Sequence, residues 1–195
     1  MYFCNYNKDI LIMLNVKKGK LLISEPLITD KFFFKGIILI THHSKIETLG
    51  LMINHPTKYY LNDMIDDIKQ NNFKIYLGGP VAQNTIQFIH TLGNTIKNSI
   101  EIKNGLFWGG DFSLVKSLIN NNKISSNDIK FFMGYSGWSE NQLENEIKEK
   151  SWILDDASTE LCMQNLNSEM WSNIVKKKGE KYAIWANLPI NPNLN

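Results

Sequence analysis

The stretch Phe131–Ile147, FFMGYSGWSENQLENEI, decides how the rest of the chain is read. It continues an apolar run from Ile129, and IKFFMGY (Ile129–Tyr135) has the β-branched and aromatic content of a buried strand. Glycines at 134 and 137 enclose Ser136, so the expectation is a strand that stops in a glycine turn, braced by Tyr135 and Trp138. Ser139 and Gln142 have the S-x-x-Q spacing of a capping box, with Leu143 and Ile147 as the buried i, i+4 pair of a following helix. Glu144 and Lys148 add an i, i+4 pair in the favourable order. A nucleophile elbow needs G-x-S-x-G; here the second glycine comes one place early, so Ser136 reads as structural.

Upstream, strands are expected at Lys20–Ser24, Gly36–His43 and Leu49–Asn54, each an apolar run bounded by turn residues. Leu61, Met64, Ile65 and Ile68 then recur at i, i+3, i+4, i+7, the stripe of an amphipathic helix. FKIYL returns to strand and stops at Gly78-Gly79-Pro80; Ile86–Leu92 and Ser99–Ile102 are further strands. Helices are expected near Asp111 or Ser113, after Ser139, at Ser158–Gln164 and at Ser168–Lys178, the last closed by three lysines and Gly179. YAIWAN is read as a final strand, and LPINPNLN as an extended tail. Strands crowd the first two thirds and helices the end, which implies an α+β domain. Residues 1–18 are read as a leader and 19–195 as one domain, since no composition shift marks a second and no period repeats.

Charge and cysteine usage exclude several classes. Net charge is only +2, and all 21 basic residues are lysine, so the guanidinium fork that reads guanine or clamps phosphate is missing throughout. Nucleic acid is therefore disfavoured, and no helix-turn-helix forms, because the second half of that candidate is the apolar strand IKFFMGY. Cys4 and Cys162 lie too far apart for a metal spacing or a disulfide framework, which suits a reducing, cytoplasmic setting. The apolar run ILIML is too short to span a membrane.

Candidate chemistry is sparse. His42 and His43 are adjacent at a strand end and point to opposite faces, which argues against one shared metal ion. The turn YLGGPV lacks the full phosphate-binding glycine pattern and its lysine, and Pro80 removes one donor. An alternative reading makes the chain a hydrolase or transferase using His43 or His90 with Asp111 or Glu144 beside that turn. It requires at least two of those side chains to converge within about 3 to 4 Å of one another or of a bridging water.

Taken in order, GKLLISEPLITDKFF, LGLMINHP, YLGGPV, FIHTL, LFWGGDF, FFMGYSGWSENQLENEI, SWIL and NPNLN resemble the YqgE/AlgH family of small bacterial proteins, in its Bacteroidetes-type branch, over residues 19–195. The resemblance implies a single α+β domain with a branched, mostly antiparallel sheet, partly closed into a small barrel and flanked by helices. It implies a nominal label of transcriptional regulator and no established reaction or cofactor. The matching positions are His43, Asn54, Pro56, Gly78, Gly79, Pro80, Val81, His90, Gly134, Tyr135, Gly137, Trp138, Gln142 and Glu144. His42, Glu47 and Asn141 depart from the family pattern; Asn141 tolerates left-handed backbone, while Glu47 alters its loop. The expectation is a non-enzymatic cytosolic binding or regulatory module, monomeric or weakly oligomeric. It has no metal or cofactor, and its protein or small-ligand surface is drawn from His43, Asn54, Gly78, Gly79, Pro80, His90, Tyr135, Trp138, Gln142 and Glu144.

Overall fold

A computed structural model describes residues 16–186 apart from residues 27 and 29; Cys4, ILIML and the tail LPINPNLN lie outside the described residues. The strands are β1 (Lys20–Ser24), β2 (Ile37–His43), β3 (Glu47–Met52), β4 (Pro56–Tyr60), β5 (Lys74–Leu77), β6 (Val81–His90), β7 (Ile100–Lys103), β8 (Leu106–Trp108), β9 (Ile129–Ser139) and β10 (Trp152–Asp156). The helices are α1 (Phe112–Asn120), α2 (Gln142–Lys148), α3 (Thr159–Met163), α4 (Glu169–Lys176) and α5 (Glu180–Ala186).

Everything is arranged on β9. One of its edges is shared by two partners: β3 pairs antiparallel with its second half (Thr48↔Trp138, Gly50↔Ser136), and β5 pairs parallel with its first half (Ile75↔Phe131, Leu77↔Met133). The other edge carries β6, from Ile129↔His90 to Tyr135↔Val81. The long path runs β10-β1-β2-β3-β9-β6-β8-β7, with β4-β5 branching from β9. This is the branched, mostly antiparallel α+β sheet that the resemblance implies.

The sheet curls into a half-barrel whose end strands approach at a seam stitched by side chains. The Nζ of Lys103 on β7 and of Lys20 on β1 both bond the Asp156 carboxylate on β10, at 2.8 and 2.9 Å. Thr159 donates its hydroxyl to the Asn104 carbonyl across the same gap. Gly19, just before β1, donates to the Ile40 carbonyl and accepts from the Ala157 amide, and Val16 packs into the core outside the sheet. Alternation divides the apolar residues into three cores. Leu21, Ile23, Leu39, Leu51, Ile89 and Phe132 line the concave face under α3, α4 and α5. Leu22, Ile38, Ile40, Trp138 and Trp152 pack outside against α2, and Phe88, Ile129 and Phe131 pack against α1.

Several expected elements change. The helix read over Leu61–Ile68 is only a 3₁₀ turn, Leu61–Asp63, followed by isolated turns. Its apolar stripe still buries Leu61 and Ile68, but acids and amides hold the backbone in turns: Asp63 accepts from the Tyr60 amide, and Asn120 holds the Asp67 carbonyl. YAIWAN is not a strand; it lies largely in α5, which doubles back after Gly179 (φ +127°). Tyr182 and Ala186 then meet the core at i, i+4 spacing, and packing overrides the β propensity of the segment. The largest correction concerns Gly134–Ser139: β9 does not end in a glycine turn but runs on through GYSGWS.

Candidate functional site

The GGPV and GYSGW motifs meet, and what they build is a crossing of backbones. β5 and β6 lie on opposite edges of β9, so the two-glycine link between them has to pass over that strand. A methyl group on Gly79 would sit 2.0 Å from the Tyr135 carbonyl carbon, and one on Gly78 would sit 2.3 Å from the Gly134 carbonyl oxygen. Gly134 itself has φ +67°, with the Gly79 and Val81 carbonyls 2.7 Å from its missing Cβ. The Gly78 amide bonds the Met133 carbonyl at 2.8 Å, and its own carbonyl accepts from the Met52 amide at 2.8 Å and the Ser136 hydroxyl at 3.2 Å. Ser136 is fully buried; its hydroxyl secures the crossing and has no histidine partner among the described residues.

Past the crossing, β9 delivers Trp138 to a clamp. The indole N–H groups of Trp138 and Trp152 both donate to Oε2 of Glu146, at 2.8 and 2.7 Å, with the rings edge-on at 6.1 Å. Gln142 donates to the other Glu146 oxygen at 3.0 Å. Half of the expected capping box forms: Gln142 Oε1 accepts the Ser139 amide, but the Ser139 hydroxyl donates to Gln142 instead of capping an amide. The N-cap of α2 is Asn141, at φ +60°, so asparagine does supply the left-handed turn here. Glu47 sits in an ordered tight turn, its carbonyl accepting from the Ser44 amide. The ion pair expected between Glu144 and Lys148 is not among the salt bridges of the described residues. In the sequence Glu146 reads only as one more carboxylate, beside Asp111 and Glu144, that could serve as acid or base, and it takes no assigned role there; the signal for the clamp was a carboxylate one turn beyond Gln142 on the face of Leu143 and Ile147, with a second tryptophan shortly after.

The histidines do not converge. His90 is fully buried: its Nε2 donates to the Gly109 carbonyl at 3.0 Å, its Nδ1 accepts from the Leu92 amide at 3.1 Å, and it stacks on Phe107. Burial pushes its pKa down, opposed by the Gly109 bond, so the ring is neutral with both nitrogens engaged. His55 is also shifted down by burial, against the Lys35 and Phe34 carbonyls. His43 Nδ1 lies 2.8 Å from the Thr48 hydroxyl. Thr48 faces Trp138 and His90 faces Ile129, so β9 separates the two histidines by up to about 30 Å at ~3.3 Å per residue. Asp111 caps α1 by accepting the Leu114 amide near the His90 end, while Glu144 lies on α2 at the His43 end. Asn54 is buried as a backbone staple, accepting from Ile37 and donating to the Lys35 carbonyl.

Among the described residues no three His, Cys, Asp or Glu side chains stand close enough to hold a metal ion, and no helix is long and apolar enough to cross a membrane. An open depression of about 300 Å³ lies at the seam between Asp155, Asp156, Ser158 and the Lys177-Lys178 end of α4. Its charges are largely mutual, with Lys178 on Asp155 at 2.7 Å.

The half-barrel flanked by helices is a fold of small α+β proteins, and two solved structures share it. The solution structure of the AlgH protein from Pseudomonas aeruginosa gives a TM-score of 0.69 at 21% identity, over 88% of this chain and 93% of that one. A crystal structure of a Corynebacterium diphtheriae protein gives 0.72 at 17% identity, over 89% and 93%. In sequence, a UPF0301 protein of Cytophaga hutchinsonii is 37% identical across 91% of this chain and 98% of its own length. One from Bacteroides thetaiotaomicron is 36% identical across 91% of each. The family model described as AlgH-like matches residues 21–183, and the chain belongs to that family.

Proposed function

We propose that the chain is a cytosolic binding or regulatory module that works through protein or small-ligand contacts and does not turn over a substrate. The observation that carries this reading is the fate of the reactive groups. Ser136, His90 and Asp111 each engage the backbone; His90 with Asp111 lies at one end of β9 and His43 with Glu144 at the other, and among the described residues neither pair is joined by a hydrogen bond or ion pair. Of the ten surface candidates, Pro80 and Gln142 are exposed and His43, Tyr135 and Glu144 are half-buried, so a partner surface draws on these five. Asn54, Gly78, Gly79, His90 and Trp138 are buried or nearly so and support that surface from beneath. Purified protein incubated with a panel of carboxylic esters, phosphate esters and nucleotides is expected to show no turnover above buffer. Activity that disappears in Ser136→Ala or His90→Ala would overturn the proposal.

A further inference from the structure

Two lysines of the sheet are almost wholly buried, and they differ in one respect. Lys20, 9% exposed, has its ammonium 2.9 Å from Asp156. Lys130, 7% exposed, has no hydrogen bond, ion pair or ring contact from its side-chain ammonium among the described residues. Burial alone moves its pKa, downward, with no carboxylate opposing it. The stem of Lys130 is buried while its ammonium reaches solvent with no protein counter-ion beside it, and such groups concentrate where a ligand supplies the missing charge.

The register shows what surrounds it. Lys130 faces Ile89 on β6, and Ile89 faces Trp108 on β8. On the other side β5 runs parallel in the register Ile75↔Phe131, which sets Lys74 beside Lys130, and Lys74 faces Tyr60 on β4. Two residues further along the same concave face, Phe132 lies between Tyr76 and Gln87. This neighbourhood is rich in donors. The Trp108 indole N–H donates to Gln87 Oε1 at 3.2 Å, which turns the Gln87 amide nitrogen outward from that bond. Burial and the neighbouring Tyr60 hold the Tyr76 phenol protonated, and its hydroxyl has no bonded partner among the described residues. Lys74 lies 5.9 Å from the Tyr60 ring. The row thus offers two ammonium groups, a phenol and an amide N–H₂ beside an indole, with no acid among them.

We infer that the Lys74–Lys130 row on the concave face of the half-barrel is a receptor for the oxyanion of a small molecule, a phosphate or a carboxylate, held by Lys130 and flanked by Trp108. The site shares no residue with the partner surface proposed above, so it stands or falls independently of whether the protein turns over a substrate.

Isothermal titration of the whole chain with sodium phosphate, phenyl phosphate and sodium acetate, at matched ionic strength, tests this and separates phosphate from carboxylate as the source of the oxyanion. Saturable binding of at least one probe is expected. Lys130→Met should weaken it at least tenfold while Lys123→Met, an exposed lysine outside the row, leaves it unchanged. Because no bonded partner is lost, Lys130→Met should fold with an unchanged or higher Tm; Gln87→Ala gives a second variant, expected to weaken binding less. No saturable binding by any of the three probes, or binding indifferent to Lys130→Met, overturns the inference.

Discussion

Removing the Glu146 carboxylate should be among the more damaging single changes outside the apolar cores. Two indole N–H groups converge on one oxygen, at 2.7 and 2.8 Å, and both tryptophans are only 4% exposed. In Glu146→Ala each buried N–H loses its acceptor, at about 1–3 kcal/mol apiece. Glu146 is itself half-buried, so water entering the gap recovers part of this, and a net loss of about 2–4 kcal/mol is expected. Glu146→Gln retains a carbonyl acceptor but turns an amide N–H₂ toward the Gln142 donor, so it should fall between, at about 1–2 kcal/mol. Urea unfolding followed by tryptophan fluorescence reads both values, and near-ultraviolet circular dichroism reads the lost fixed geometry of the indole pair. A loss below about 0.5 kcal/mol in Glu146→Ala, with the indole signal intact, would refute the clamp.

Other outcomes follow from the same structure. Gly79→Ala should lose about 4 kcal/mol or more by equilibrium denaturation, since its methyl meets backbone at 2.0 Å, whereas Gly105→Ala, with open space around it but φ +79°, should lose only about 1 kcal/mol. His55 and His90 both have folded pKa values below the ordinary 6.5, so the unfolded chain takes up protons first. Stability should therefore be full above pH 6.5 and decline as pH falls below it, which a Tm series in matched buffers measures. Asp156, held down to about 2 by hydrogen bonds from Lys103 and Lys20, adds a further loss as pH drops from 3.8 toward 2. Because its side chain is 62% exposed, Asp156→Asn should cost only about 1 kcal/mol in a denaturation titration at pH 7, mostly from leaving Lys20 without its counter-ion.

What the sequence could reveal followed the strength of its local signals. β1, β2 and the first half of β9 are apolar runs with β-branched or aromatic residues, and α1 starts at its Asp111 cap, so these were readable. β4 and β8 were not: PTKYY is mostly exposed and LFW is three residues long, and each is a strand only because a neighbour pairs with it. The continuation of β9 through Gly134–Ser139 was hidden for a different reason. Glycines normally punctuate strands, but here they are required by a second backbone crossing overhead, a contact between segments some 55 residues apart that no local pattern encodes. The same distance effect hid the unpaired state of Lys130, whereas the Trp138–Glu146–Trp152 clamp is local, its members six and eight residues apart, and went unread because no motif in the sequence singles out Glu146 among the acids of that helix. His90 and Ser136 stood out in the sequence, and only the structure shows what occupies their polar atoms.

Native-state hydrogen exchange at the Met52 and Gly78 amides tests most directly whether the GGPV and GYSGW motifs build a fixed crossing or a ligand-gripping loop. Both amides sit at the crossing, bonded to the Gly78 and Met133 carbonyls at 2.8 Å. A fixed crossing predicts that they exchange only through global unfolding, with opening free energies equal to the stability of the whole domain and parallel to those of Phe131 and Phe132. Exchange of Met52 and Gly78 through low-energy local opening, while the amides of Phe131 and Phe132 stay protected, would contradict it.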